Sequence, residues 1–396
     1  VAVLLNRWWI VAGSTLALVV STGPIMQFTF GVFLKPIMGE FHVSRGLGSL
    51  TLTIGLTATA LLLPVAGVIA DRWGPRRLAL AAVSGLCLLL VATATVAHSY
   101  AAFLVCFTLA GIAATGQTPL PYTRIIVGHF DDRRGLALAL ALTGVGIGAV
   151  VLPIIAQALV GRYGWRGGYL GIALLLAMIA LPSLLLLLPR DPLGKAARAE
   201  AAAQPGLSVA GALRTYRFWL LLAGVFLAAA VTNGTIAHVV PLLTDRGVDA
   251  DAAVRAVAWL GAASIVGRIA GGWALDRYWA SWVALVFLAG LALGIWLLLH
   301  APGMTAAAGA AVLLGLGLGI EADLVSYLLA RHFGLKSYGS LFGLAFGAFM
   351  LASSLGPVLM GWLFDLTGSY VFCLNLFIAM AIAAAGAMLA LGRYRY

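Results

Sequence analysis

Charge is what this chain has least of. Only 9% of its 396 residues are Asp, Glu, Lys or Arg, and 63% are hydrophobic; a soluble domain carries about a quarter charged residues. With a mean hydropathy of +1.06, that scarcity excludes a soluble globular protein and leaves an integral membrane one. Cysteine is nearly missing too. Cys87, Cys106 and Cys373 each sit in an apolar run, with no CxxC and no His-rich neighbourhood, so they read as small buried hydrophobes rather than disulfide or metal ligands. There is no P-loop, hence no ATP drive and no cofactor is expected. Segments of about ten alternating residues, the mark of a membrane β-barrel, do not occur either.

Acidic residues are the scarcer charge, 13 against 24 Lys and Arg, for a net +11. In a soluble chain that balance would point to nucleic acid. Here the basic residues fall in short loops between apolar runs, which is the Lys and Arg excess of cytoplasmic loops, and no nucleic-acid partner is expected.

Long apolar runs are what the chain has. A helix needs about 20 apolar residues to cross the hydrocarbon, and twelve segments qualify: 8–34, 47–70, 78–97, 101–127, 135–160, 168–188, 218–243, 252–275, 279–299, 304–330, 339–364 and 370–391. The reading is an all-α integral membrane protein of twelve transmembrane helices. The side shared by both termini collects sixteen Lys and Arg, the other side six, and Arg124 and Arg268 stay inside spans. Both termini are therefore expected in the cytoplasm. The chain starts at Val1 rather than Met, so a few residues are expected before it. The first apolar run has span length and no small-residue cleavage site after it, so no cleavable signal is expected.

The longest polar connection, 189–217, holds Lys195-Ala-Ala-Arg198-Ala-Glu200 and Gln204-Pro205-Gly206. It separates two halves that repeat each other. Gly67-Val-Ile-Ala-Asp71-Arg72 recurs as Gly272-Trp-Ala-Leu-Asp276-Arg277, His129-Phe130 as His332-Phe333, and Pro153 and Gly164 as Pro357 and Gly368, all at offsets of 203 to 205. The expected organisation is an N-terminal six-helix bundle over 1–188, a cytoplasmic linker over 189–217 and a C-terminal six-helix bundle over 218–396.

Gly67-Val-Ile-Ala-Asp71-Arg72-Trp-Gly74-Pro-Arg76-Arg77, between the second and third spans, resembles the major facilitator signature G-x-x-x-D-R-x-G-x-R-R at every fixed position. Parallel six-span repeats are that superfamily's plan. Gly67 allows close helix approach, and Asp71 can cap a neighbouring helix N-terminus, where the dipole favours an anion. The resemblance implies a gate loop made by Asp71, Arg72, Arg76 and Arg77, with Asp276 and Arg277 as its second copy. Arg124, toward the cytoplasmic end of its span, reads as a gate ion-pair partner or a substrate contact.

A second set of motifs narrows the family. His129-Phe130-Asp-Asp-Arg133-Arg134-Gly135, the run through Thr143-Gly144-Val-Gly146-Ile-Gly148, Tyr163-Gly164-Trp165-Arg166-Gly167, and Phe30-Gly31-Val-Phe33-Leu-Lys35-Pro36 with Glu40-Phe41 resemble monocarboxylate transporters and the bacterial branch that includes oxalate/formate exchangers. The glycine runs 144–148 and 315–319 lie inside apolar helices and read as packing faces, not nucleotide cradles. Asn233-Gly234-Thr235 matches a glycosylation pattern but lies inside a span.

Arg268 lies deep in the apolar run 252–275, whose other charge, Arg255, is near its start. A charge at that depth costs about 3 kcal/mol on insertion scales, so it faces a bundle interior or a water-filled path. The resemblance makes it the eighth-span arginine that binds the substrate carboxylate, onto which a guanidinium can fork. An ion pair with an acidic residue is the alternative. Ser264 is one turn earlier on the same face, and Gly261 and Gly272 flank it, leaving room for a ligand. The chain departs from the animal transporters in having Ser264 where they carry an aspartate and Phe28 where they carry a lysine. It also lacks the exchangers' second basic residue in the eleventh span.

Gln27, Tyr122, Asn233 and His238 are further candidate substrate hydrogen-bonders, with helix packing as the other reading. Glu321, Asp323 and His238 are the candidates for proton coupling. The two acids lie two residues apart, about 200° around a helix, so they cannot share one cavity; either can instead partner Arg268 or a helix end. The function implied is secondary transport of a small organic anion, a monocarboxylate such as lactate or pyruvate, by alternating access with proton symport, in a monomer surrounded by lipid. The rivals are an obligate carboxylate exchanger, a proton-driven exporter of amphiphilic compounds, and a membrane enzyme or sensor, for which no nucleophile–base pair is visible. No metal site is expected.

Overall fold

The computed structural model describes residues 7–43, 45–190, 204–248, 250–300 and 303–394, nearly all of them helical. Lys195, Arg198 and Glu200 of the connection lie outside these residues. Among the described residues there is no strand, only an isolated bridge between Gly206 and Gly334.

The first span is broken. α1 (Trp8–Val19) runs into a π-helical turn at Gly23–Phe28, and α2 (Phe30–Phe41) completes the crossing. Pro24 lacks an N–H and cannot continue the α ladder. α3 (Arg45–Trp73) and α4 (Pro75–Val96) are joined by Gly74, whose φ of 101° favours glycine. The fourth span breaks as well: α5 (Tyr100–Ala114), a 3₁₀ turn at Thr115–Gln117, then α6 (Pro119–His129) with Pro119 in its first turn. The two breaks meet, and Thr22 Oγ1 donates to the Ala114 carbonyl at 2.6 Å. A freed backbone acceptor in a membrane needs such a side-chain partner.

α7 (Arg134–Pro182) is two spans in one, bent at Gly164 with φ 69° and ψ 177°. After the short α8 (Val209–Leu213) come α9 (Tyr216–Asp245), α10 (Ala250–Arg277), α11 (Ala280–His300), α12 (Met304–Phe333), α13 (Tyr338–Thr367) and α14 (Val371–Leu389). Counting the broken and bent helices by crossings yields the twelve spans. Among the described residues, ten helices are long and apolar enough to cross a membrane; one of them, Arg134–Leu187, is the bent pair. α10 is not among the ten; it carries Arg268, and part of it lies outside the described side chains. Large apolar residues such as Leu186 and Leu88 stand exposed, as expected where the solvent is lipid.

Contacts divide the chain into two compact units. Unit 1 is Val1–Asp131, Leu140–Gln204 and Lys336–Leu344; unit 2 is Asp132–Ala139, Pro205–Leu335 and Ala345–Tyr396. The boundary after Gln204 falls inside the expected connection 189–217. Two helix starts, however, belong with the opposite half of the sequence, because Asp71 and Asp276 hold them there through backbone N–H groups.

Glycines set the helix spacing inside each unit. In unit 2 a Cβ on Gly315 or Gly319 of α12 would collide with the carbonyls of Leu260 or Ser264 on α10. In unit 1 a Cβ on Gly144 or Gly148 would collide with the carbonyls of Thr15 or Val19. These glycines are helix-packing faces, as expected.

Candidate functional site

The close α10–α12 approach decides what Arg268 meets. With Gly315 and Gly319 turned to α10, the next residue on that face is Asp323, four further on. Arg268 Nε donates to the Gly319 carbonyl at 3.1 Å and lies 3.9 Å from Asp323 Oδ2. The Asp323 side chain is 0% exposed and that of Arg268 18%. Neither Asp323 oxygen makes a hydrogen bond, so the ion pair is its described polar interaction. Glu321 is also buried but faces away from α10, into a cavity bordered by Leu291 and Phe287 of α11. Thr232 lies toward its carboxyl, yet neither the Thr232 hydroxyl nor Glu321 Oε2 completes a hydrogen bond.

The other candidates are held mainly by their own helices and neighbours. The Ser264 hydroxyl donates back to the Gly261 carbonyl at 2.7 Å, a local helix bond. Asn233 Nδ2 donates to Ser353 Oγ at 3.1 Å, joining α9 to α13. His238 Nε2 is 3.1 Å from the Pro357 carbonyl and Nδ1 3.2 Å from the Tyr370 hydroxyl. A carbonyl can only accept, so Nε2 donates to Pro357, and Nδ1 shares a hydrogen bond with the Tyr370 hydroxyl. Both ring nitrogens are thus engaged, Nε2 holding α9 to α13 and Nδ1 holding it to the start of α14. Gln27 is exposed in the π-helical turn of unit 1.

Two readings need correction. Tyr122 is fully buried, and its hydroxyl donates to Gln117 Oε1 at 2.5 Å, while Gln117 Nε2 donates to the Ala17 carbonyl at 3.0 Å. It braces the break in the fourth span rather than offering a hydroxyl to a cavity. Gly272 does not leave room for a ligand either: a Cβ there would meet Ala139 Cβ at 2.5 Å and the Gly135 carbonyl at 2.6 Å.

At the Arg-rich ends of α3 and α10 the signature loops do what their chemistry allows. Asp71 accepts from the N–H groups of Gly339 (2.9 Å) and Ser340 (2.8 Å) and from the Ser340 hydroxyl (2.8 Å). Asp276 accepts from the N–H groups of Gly135 (2.6 Å) and Leu136 (2.9 Å). Each carboxylate caps a helix start, where unpaired N–H groups and the dipole favour an anion. Arg124 Nε lies 3.4 Å from Asp71 Oδ1, and its Nη2 donates to Gln204 Oε1 at 3.0 Å. Arg76 is buried, donating to the carbonyls of Leu184 (2.6 Å) and Leu185 (2.8 Å). Arg77 Nη1 donates to the Trp73 carbonyl at 3.2 Å, and Arg72 and Arg277 are exposed. Among the described residues no group of three or more His, Cys, Asp or Glu could hold a metal.

Sequence reasoning passed over Gln117, Gln204, Ser340, Ser353 and Tyr370. Each is an uncharged polar residue whose partner lies on another helix or across a turn, so no spacing rule exposes it.

The comparisons agree with this architecture. The Escherichia coli fucose:proton symporter FucP superposes with a TM-score of 0.75 at 15% identity, covering 99% of this chain and 100% of that one. The proton:xylose symporter XylE gives 0.76 at 14% identity, covering 97% and 95%; at such identities the likeness is of fold alone. In sequence the chain is 26% identical to monocarboxylate transporter 13 of Bos taurus over 376 residues, 92% of this chain and 85% of the relative. It is 33% identical to monocarboxylate transporter 11 of Homo sapiens over 258 residues, 61% and 53% of the two chains. It is 26% identical to the uncharacterized MFS-type transporter YcxA of Bacillus subtilis over 379 residues, 90% and 88%. The family model for the Major Facilitator Superfamily matches residues 16–357, spanning both signature loops, the broken fourth span and the Arg268–Asp323 pair. This chain is a transporter, not an enzyme, and belongs to the Major Facilitator Superfamily.

Proposed function

We propose that the chain carries a small monocarboxylate, with lactate and pyruvate as the first compounds to try, and that Arg268 holds its carboxylate. The observation that supports this reading is a guanidinium in the middle of a span whose acidic partner, Asp323, is buried and otherwise without hydrogen bonds. The names of the relatives point to the same substrate class. Empty, the pair is neutral. A substrate carboxylate that takes Asp323's place leaves Asp323 buried without a counter-charge, an expensive state. A proton on Asp323 restores neutrality, so one proton would accompany each monoanion, and the loaded and empty sites would both be neutral.

In this reading both termini are cytoplasmic in a bacterial inner membrane, 1–188 and 218–396 rock as two bundles, and the Asp71 and Asp276 caps close the cytoplasmic end. Arg268→Ala should abolish lactate binding in the folded protein, and Arg268→Lys should restore little, since a point charge replaces a planar fork. Thermal shift measures it: ligand at 100 times its dissociation constant stabilises by about 2.7 kcal/mol. Wild-type affinity in the lysine variant would sink the assignment. Asp323→Asn should abolish accumulation driven by an inward proton gradient while counterflow exchange survives. Wild-type uptake indifferent to the gradient but stimulated by internal carboxylate would mean an obligate exchanger, and transport of cationic dyes instead of carboxylates an exporter.

A further inference from the structure

The carboxylate reading leaves Glu321 without a task. It is 9% exposed and borders a cavity inside unit 2 whose other walls include Val225, Phe287, Leu288, Leu291, Phe349 and Met388, from α9, α11, α13 and α14. No other residue lining this cavity titrates. From α9 the Thr232 hydroxyl lies toward its carboxyl. Asp323 and Arg268 pair on the opposite side of α12, toward α10. Glu321 Oε2 has no hydrogen-bond partner.

An ionised carboxylate in such a place faces apolar walls with no counter-ion among the lining residues, and a buried acid so placed takes up a proton rather than keep its charge. The cavity measures about 30 Å³, room for one or two water molecules. That is too little to hydrate a carboxylate, which presents about four acceptor sites. It is also no metal site: hard cations gather about six oxygens, and the lining supplies a single carboxyl. The ligand that fits is a proton.

We propose that Glu321 and its cavity form a proton-holding site, separate from the Arg268–Asp323 pair, that permits transport when filled and arrests it when emptied. Loss of the proton leaves a charge that must draw water in, and α9 and α11 have to part from α12 to admit it. The other face of α12 is locked to α10 through Gly315 and Gly319, so a shift of α12 reaches Arg268 directly. The site regulates the carrier; it does not couple the substrate to the gradient.

The proposal rests on the carboxylate reading only for its assay. Labelled lactate counterflow, with equal pH on both sides of the vesicle, requires no net proton movement. From pH 6 to pH 9 wild-type exchange should fall at least tenfold, while Glu321→Gln, in which the Asp323 proton that accompanies the substrate still titrates, should retain exchange at pH 6 and fall several-fold less than wild type by pH 9. Glu321→Met, apolar and of similar length, should behave alike if the glutamine variant folds poorly. A variant that falls with pH as the wild type does overturns the proposal, and so does rescue of alkaline exchange when potassium is replaced by sodium. If lactate is not exchanged at any pH, the carboxylate reading fails by itself. The ligand-free protein still tests the site: its melting temperature should drop from pH 6 to pH 9, because the folded state holds a proton that the unfolded chain releases. Glu321→Gln should remove that drop, and a drop that persists in the variant would also overturn the proposal.

Discussion

At the end of α3, Asp71 takes two backbone N–H groups and a hydroxyl and has Arg124 beside it; at the end of α10, Asp276 takes two N–H groups, with Arg331 and Arg134 as the nearby cations. The Asp71 side chain is 11% exposed, whereas Asp276 is an exposed residue. Both copies keep the glycine one turn earlier, which brings the helix end against a backbone carbonyl: Gly67 against Gly339, Gly272 against Gly135. Past the Asp-Arg pair the two copies diverge. The first continues as Gly74-Pro-Arg76-Arg77, with Arg76 anchoring α4 to the end of the sixth span, while the second continues as Tyr278-Trp279-Ala280. Duplication has kept the part fixed by geometry, a small residue and an acid facing a helix start. The added hydroxyl bond and the deeper burial are found on one side only. The first joint should therefore be the stronger, and the α3–α13 contact the harder one to open.

Substitution at the glycine should break the first joint most completely. A Cβ on Gly67 collides with the Gly339 carbonyl and would lie 2.8 Å from Ser340 Cα, and backbone cannot swing aside as a side chain does. Overpacking of this kind costs typically 1–3 kcal/mol, so Gly67→Ala should slow counterflow by up to about a hundredfold, at about 1.4 kcal/mol per decade. A variant within a factor of two of wild type would show that the joint is not limiting. Asp71→Asn comes next. Losing a partly buried charge at a helix N-terminus costs up to about 2 kcal/mol, a change of roughly thirtyfold in exchange rate with lactate affinity unaltered. Asp276→Asn, at an exposed site, should cost about 1 kcal/mol or less, roughly fivefold. Equal losses at the two aspartates would erase the distinction drawn between the joints.

Most of the fold was legible because membrane solvation leaves few choices: twelve apolar runs, two copies of a loop and the side bias of Arg and Lys suffice. The breaks in the first and fourth spans were not read, although Pro24 and Pro119 were in plain view. A hydropathy count sees apolar residues and is blind to the path of their backbone. Arg268 was legible as a lone charge at depth. Its partner was not, because choosing between Glu321 and Asp323 requires the rotational setting of α12. Gly315 and Gly319 supply that setting once their contact with α10 is known, since steps of four residues lead from them to Asp323. Tyr122 was left between a cavity and a packing role because Gln117 reaches it across a 3₁₀ turn, where helical spacing no longer applies.

Unit 1 has a third joint, which sharpens the comparison by its mildness. Glu40, at the end of α2, takes Arg166 Nη1 on both oxygens at 2.6 and 2.7 Å and Trp165 Nε1 at 2.6 Å, while Arg166 Nη2 donates to the Ala97 carbonyl at 2.9 Å. Two motifs 125 residues apart, Glu40-Phe41 and Trp165-Arg166, are thus one structural device. The hydrogen bond from Arg166, and then that from Trp165, holds the Glu40 carboxyl below its ordinary range. For an acid so depressed, the stabilisation is present in full above the unfolded value of about 4.3. It is lost only as pH falls through the lower folded value. The side chains are 33% and 39% exposed, and exposed ion pairs are worth about 1 kcal/mol at most. Glu40→Gln should therefore lower the melting temperature slightly and by a constant amount from pH 5 to pH 8, with the gap to wild type closing below about pH 4. A gap that closes between pH 5 and pH 7 would mean that Arg166 and Trp165 do not hold this carboxylate as described.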